Sequence, residues 1–194
     1  MNDKLDKRDY FLFEQAAEMD VYYAYIDMCR LSFQKDQQKF EKYKQKSAAH
    51  EEWYIQQANT GDPMAQLYMG GFSIFVKGDM NTAVEWTRKA AEQNFPNAML
   101  SLAEHYAHNE NDFETAVIWY RKAAELGLPC AQIELSNLYE LGKGVPQDME
   151  EATKWKLKAA ETGSNWAQLH YAMFCEEEEN YEEAFRWYKI AADQ

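Results

Sequence analysis

Five tryptophans recur at nearly one interval along this chain. Trp53, Trp86, Trp119, Trp155 and Trp187 stand 33, 33, 36 and 32 residues apart. The last four are each followed, four residues on, by an alanine pair: Ala90-Ala91, Ala123-Ala124, Ala159-Ala160 and Ala191-Ala192. Trp53, followed by Gln57-Ala58, is a weaker copy. A second series, Ala65, Ala98, Ala131 and Ala167, keeps spacings of 33, 33 and 36. A period of this length means a supersecondary unit that cannot bury its apolar face alone and stacks on its neighbours. The pattern predicts an all-α chain: an α-solenoid of antiparallel helix pairs.

The copy from Pro129 to Gly163 shows how one unit folds. Ala131, Leu135, Leu138 and Tyr139 lie on one helical face. Gly142 and Gly144 end that helix, because a left-handed C-terminal cap suits a residue without Cβ. Pro146 prevents early resumption, and Asp148 with Glu151 forms a capping box for the second helix. Ala152, Trp155, Ala159 and Ala160 stripe that helix, and Gly163 closes it. The small residues allow close approach, with Trp155 and Tyr139 expected to fill the space between the helices.

The run Ala131, Leu135-Ser136, Tyr139, Gly142, Gly144-Val145, Asp148, Ala152, Trp155, Ala159-Ala160, Gly163 resembles a Sel1-like repeat, a variant of the tetratricopeptide helix-turn-helix. The resemblance covers about residues 60 to 194 well and about 9 to 60 loosely. The other copies lack the Gly-x-Gly loop. It implies a right-handed α-solenoid of antiparallel helix pairs that binds proteins; it is specific for fold and says little about function.

Read in order, residues 1–8 are polar and expected to fray, and residues 1–19 supply an N-terminal capping helix. Residues 20–60 make a divergent repeat, with Ala24, Met28 and Ser32 aligned on Ala65, Met69 and Ser73. It carries eight extra residues in a segment containing Lys35, Lys39, Lys42, Lys44 and Lys46. That segment reads as a lengthened helix pair with a solvated face. Repeats follow at 61–93, 94–126, 127–162 and 163–194, all within a single solenoid domain over 1–194. Lys77-Gly78-Asp79 and Asn109 to Asp112 are tight polar turns, with Asp79 and Asp112 as N-caps. The last helix, with Trp187 and Tyr188, should expose apolar surface. That surface fits an unrecorded continuation, a dimer contact or a partner site, and the oligomeric state stays open.

With 20 basic and 33 acidic residues the net charge is −13. This argues against nucleic acid, which needs a basic footprint, and favours a basic partner. The C-terminal hairpin is the most acidic point, with Glu176 to Glu179, Glu182 and Glu183. Cys29, Cys130 and Cys175 are odd in number and contain no C-x-x-C, so they read as reduced, small apolar side chains. No signal peptide or membrane span is visible, and a cytoplasmic location is expected.

A search for chemistry finds little. Ser32-Phe33-Gln34-Lys35 fits S-x-x-K without the elements that accompany it in a catalytic site. His105 and His108, with Glu104 and Asp112, could start a metal site but lack a converging ligand from another repeat. There is no phosphate loop or nucleophile elbow. No cofactor, no metal and no enzymatic activity are expected, with a hydrolase as a remote alternative.

What remains is a surface. In tetratricopeptide relatives the first helix of each pair lines a concave groove. The resemblance carries that role here to Arg30, Phe33, Gly71, Ile74, Phe75, Glu104, His108, Asn137, Glu140, Met173, Glu176 and Glu177. Aromatic anchors would supply energy and acids would steer. Phe33, Phe75 and Met173 fit a core role equally well. The expected function is non-enzymatic binding of a partner protein. Two narrower roles compete: a cytosolic adaptor, and an immunity protein that occludes a basic toxin.

Overall fold

The structure is a computed structural model that describes residues 7–19 and 21–193; the expectation for residues 1–6 lies outside them. Twelve α-helices and no strand occur among the described residues. They fall into two compact units, divided between Gln93 and Asn94.

The first unit holds α1 (Lys7–Glu18), α2 (Tyr22–Ser32), α3 (Gln37–Ala48), α4 (Glu51–Asn59), α5 (Pro63–Phe72) and α6 (Met80–Glu92). α1 packs on α2, α2 on α3, α4 on α5, and α5 on α6. The extra residues of the divergent repeat do not simply lengthen a helix pair. They break at Ala49 and His50 into two helices with separate partners: α3 forms the hairpin with α2, and α4 serves as the neighbour of α5. α3 buries Phe40, Tyr43 and Ser47. Two of its lysines reach α1, Lys39 to Glu14 at 2.6 Å and Lys42 to Glu18 at 2.5 Å.

The second unit holds α7 (Pro96–His105), α8 (Phe113–Glu125), α9 (Pro129–Leu141), α10 (Met149–Glu161), α11 (Asn165–Glu177) and α12 (Tyr181–Ala192). Hairpins α7/α8, α9/α10 and α11/α12 stack through α8 on α9 and α10 on α11.

Local signals set the helix starts. The carboxylates of Asp62, Asp79, Asp112 and Asp148 accept from the backbone N–H three residues on, at 2.7–3.0 Å. Asn180 does the same for Glu183. Pro63, Pro96 and Pro129 occupy first helical turns, where no N–H is missed. Only half of the expected capping box forms at Asp148, since the Glu151 side chain turns to Lys154 instead.

The hairpin turns differ from the expectation. α5 and α7 do not stop at simple polar turns but run on through π-helical segments, Ser73–Lys77 and Tyr106–Glu110. Gly78 and Asn111 then take left-handed backbone, with φ of 70° and 55°. In the third hairpin Gly142 is the left-handed cap and Gly144 has φ of 70°. A Cβ on Gly144 would fall on the carbonyl of Phe113, so this loop is pressed against the start of α8.

The core is built of alanine and tyrosine. Ala90, Ala91, Ala123, Ala124, Ala159 and Ala160 are fully buried, and Tyr120 is 2% exposed. The tryptophans were expected inside, yet Trp86, Trp119 and Trp155 are only half-buried. A lysine one turn on covers each ring: Lys89 at 4.0 Å, Lys122 at 4.2 Å and Lys158 at 4.6 Å. Trp187 is the exception at 8% exposed, edge-on to Tyr171 and donating to Glu183. Its exposure was misplaced by the sequence reading; the outward residues of α12 are Tyr181 and Phe185.

Candidate functional site

In the first unit the candidate surface forms where α2 meets the turn after α5. Phe33, 47% exposed, sits edge-on to Phe40 at 5.4 Å and to Phe75 at 5.9 Å. Phe75 is half-buried and packs against the cores on both sides of it, while Ile74 beside it is exposed. Gly71 is half-buried. A Cβ there would strike Ile26, so its part is to let α5 approach α2.

Arg30 closes onto a buried acid. Its guanidinium donates to Asp27 at 3.0 Å, and the Tyr68 hydroxyl donates to the other carboxylate oxygen at 2.8 Å. Burial pushes the Asp27 carboxyl above its ordinary range, against the opposing pull of Arg30 and Tyr68. Asp27 was not among the predicted residues. Its signal was a lone acid inside the apolar run from Tyr22 to Ser32.

In the second unit three of the predicted acids, Glu104, Glu140 and Glu176, are engaged within the chain. Glu140 pairs with Lys156, whose ammonium also lies 4.3 Å over the ring of Phe174. Glu176 accepts from the Tyr188 hydroxyl at 2.8 Å. Glu104 is half-buried and, with Glu134, helps burial to raise the Tyr120 hydroxyl. Asn137 donates to Glu134 at 3.4 Å. His108, Met173 and Glu177 are exposed. His105 faces Glu110 at 2.9 Å rather than joining His108, and no cluster of three metal-ligating side chains occurs among the described residues.

Ser32, Cys29 and Cys175 are quenched by their surroundings. Ser32 donates to the carbonyl of Met28. Burial pushes the Cys29 thiol up to about 12 and raises that of Cys175. No described helix is long and apolar enough to cross a membrane.

The family model for the Sel1 repeat matches residues 57–95, 96–128, 131–164 and 167–194. The chain belongs to the Sel1 repeat family. Sel1 repeats are protein–protein interaction scaffolds, and the fold is typically non-catalytic. A Sel1 repeat protein from Oxalobacter formigenes is similar at 31% identity and a TM-score of 0.65, covering 76% of this chain and 62% of its own. A protective antigen of uropathogenic Escherichia coli strains, displaying an SLR fold, is similar at 28% identity and a TM-score of 0.59, covering 95% and 40%. The Sel1 chain thus spans less than two thirds of either relative. An immunity protein from Pseudomonas aeruginosa shares the fold at 17% identity and a TM-score of 0.58, covering 98% and 76%. No curated protein matches the sequence significantly.

Proposed function

We propose that this Sel1 protein is a non-enzymatic module that binds a partner protein through the faces of its first helices. The observation that carries this reading is Phe33: a large ring half open to solvent, held by Phe40 and Phe75 beside the exposed Ile74. A large ring held by its neighbours in this way suits an anchor that fills a pocket on a partner. The exposed Glu177 and Met173 of α11 and His108 extend the same role to the second unit. The net charge of −13 favours a basic partner. Glu140 and Glu176 contribute less to such steering than their charge suggests, because each is already engaged within the chain.

A narrower reading is supported by the fold shared with the Pseudomonas aeruginosa immunity protein: this chain would occlude a basic antibacterial toxin. The acidic balance suits that role, and an adaptor in a regulatory pathway is the competing one. The test is capture from the native host with wild-type and Phe33→Ala chains as bait. A basic protein held by the wild type and released faster by the variant supports the reading. Equal retention by both chains would remove Phe33 as the anchor.

A further inference from the structure

Three tryptophans of the repeat series carry a cation of their own. Lys89, Lys122 and Lys158 each stand three residues after their tryptophan and seat the ammonium 4.0, 4.2 and 4.6 Å from the ring centroid. The negative face of an aromatic ring attracts a cation, and tryptophan does so best. Trp187 has Ile190 at that place and is buried, 8% exposed. Trp53 is half-buried like the covered rings, but Gln56 stands where their lysine does. Trp53 and Gln56 line one opening with residues 48–52, where α3 gives way to α4. No lysine or arginine is among its lining residues, and two of them are acids, Glu51 and Glu52. Tyr22 and Tyr23 meet the indole edge-on at 4.9 and 5.0 Å, which fixes the ring in place.

We propose that Trp53 takes from a partner the cation that the other repeats supply themselves: a lysine side chain of a basic protein, seated on the indole beside Glu52. This contact deepens, and rests on, the reading of the chain as a binder of a basic protein. Charge selects the occupant. Glu52 is exposed at the mouth of the opening, whereas Glu51 accepts from Lys77 at 2.7 Å. The neighbouring Lys46 lies 5.1 Å from the Tyr25 ring instead, and the Nδ1 of His50 lies 2.8 Å from the Lys46 carbonyl. An apolar side chain would suit the indole and leave Glu52 unanswered, and an acidic one would be repelled by it. A lysine answers both, with its stem along the ring and its ammonium toward the carboxylate.

Decalysine with blocked ends is the probe, read by the indole N–H signals of the six tryptophans in nitrogen-labelled protein. The Trp53 signal, identified by its loss in Trp53→Phe, shifts saturably. It moves further than those of Trp86, Trp119 and Trp155, which already carry a cation. Gln56→Lys gives Trp53 a lysine of its own, as in the other repeats. That variant keeps its helical circular dichroism and binds decalysine about three- to tenfold more weakly, the worth of one cation on tryptophan. Gln38→Lys adds the same charge at an exposed place on α3 and changes the affinity by less than about twofold. A peptide that fails to bind, or a Trp53 signal that moves no further than the other three, overturns the proposal. So does a Gln56→Lys chain that binds like Gln38→Lys. The titration uses the chain alone, so it is separate from capture in the host. A chain that captures no basic protein but passes this titration loses the partner function and keeps the site.

Discussion

At the scale of single residues, two neighbours in α8 exchange the roles that their types suggest. Trp119 is the larger ring, but Tyr120 is the one enclosed, and Trp119 lies half-buried under Lys122. Truncating Tyr120 to Ala should therefore cost about 3–5 kcal/mol, the range for emptying a large core site. Trp119→Ala should cost about 1–2 kcal/mol, as its burial is partial. Urea denaturation of both variants checks the order, and equal losses would contradict it. Trp187→Ala should exceed Trp119→Ala, since Trp187 is buried and bonded to Glu183. Asp27 gives a pH signature. Its carboxyl is raised by burial, so the folded state holds its proton more tightly than the unfolded chain. Its contribution to stability is fully present below the unfolded value of about 3.9 and is lost as pH rises through the folded value. The stability of the wild type relative to Asp27→Asn should fall from pH 4 to pH 7; a flat difference would refute the buried-charge assignment.

At the scale of elements, much was legible because the signals are local. An aspartate ahead of a helix, a proline in its first turn and a glycine past its end act over a few residues, and Asp79, Asp112, Pro129 and Gly142 stand where those rules put them. What escaped depends on pairs far apart in sequence. The Glu140–Lys156 pair joins two helices, so Glu140 looked like a free groove acid. Adjacent residues on a helix point about 100° apart, and which of Trp119 and Tyr120 turns inward is decided by α9 as much as by α7. The first-helix face could be phased from the alanines, but the occupancy of its acids and the closeness of Gly71 to Ile26 could not. The Gly-x-Gly loop illustrates both sides. Gly142 was readable as a cap, whereas Gly144 is held by Phe113 of the preceding hairpin. Gly144→Ala should cost about 2–4 kcal/mol, combining left-handed strain with a backbone clash. Gly163→Ala, also left-handed but in open space, should cost about 1 kcal/mol. Thermal unfolding separates the two, and similar shifts would mean that the loop is free to move away from α8.

At the scale of the whole molecule, charge sets how a partner arrives and the exposed rings set how long it stays. Binding of a basic protein should accelerate at low salt, because exposed charges are screened beyond about 8–10 Å at physiological ionic strength. Reversing Glu177 and Glu182 to Lys should slow association, read by surface-capture kinetics across a salt series. A salt-independent on-rate would leave the net charge of −13 without a role in recognition. The π-helical turns carry a longer consequence. Trp53, Trp86, Trp119 and Trp155 each stand twelve residues before the first-helix alanine of the following hairpin, whereas the distance from that alanine to its own tryptophan is 21, 21, 24 and 20. All length variation therefore falls inside the hairpins, and the joints between them are invariant. One residue more than the last hairpin is taken up as a π turn, and four more as the Gly-x-Gly loop. A gene lineage can thus gain or lose residues at the hairpin tips while the spacing from one hairpin to the next is kept, which leaves the tips as the places where duplicated copies are free to diverge.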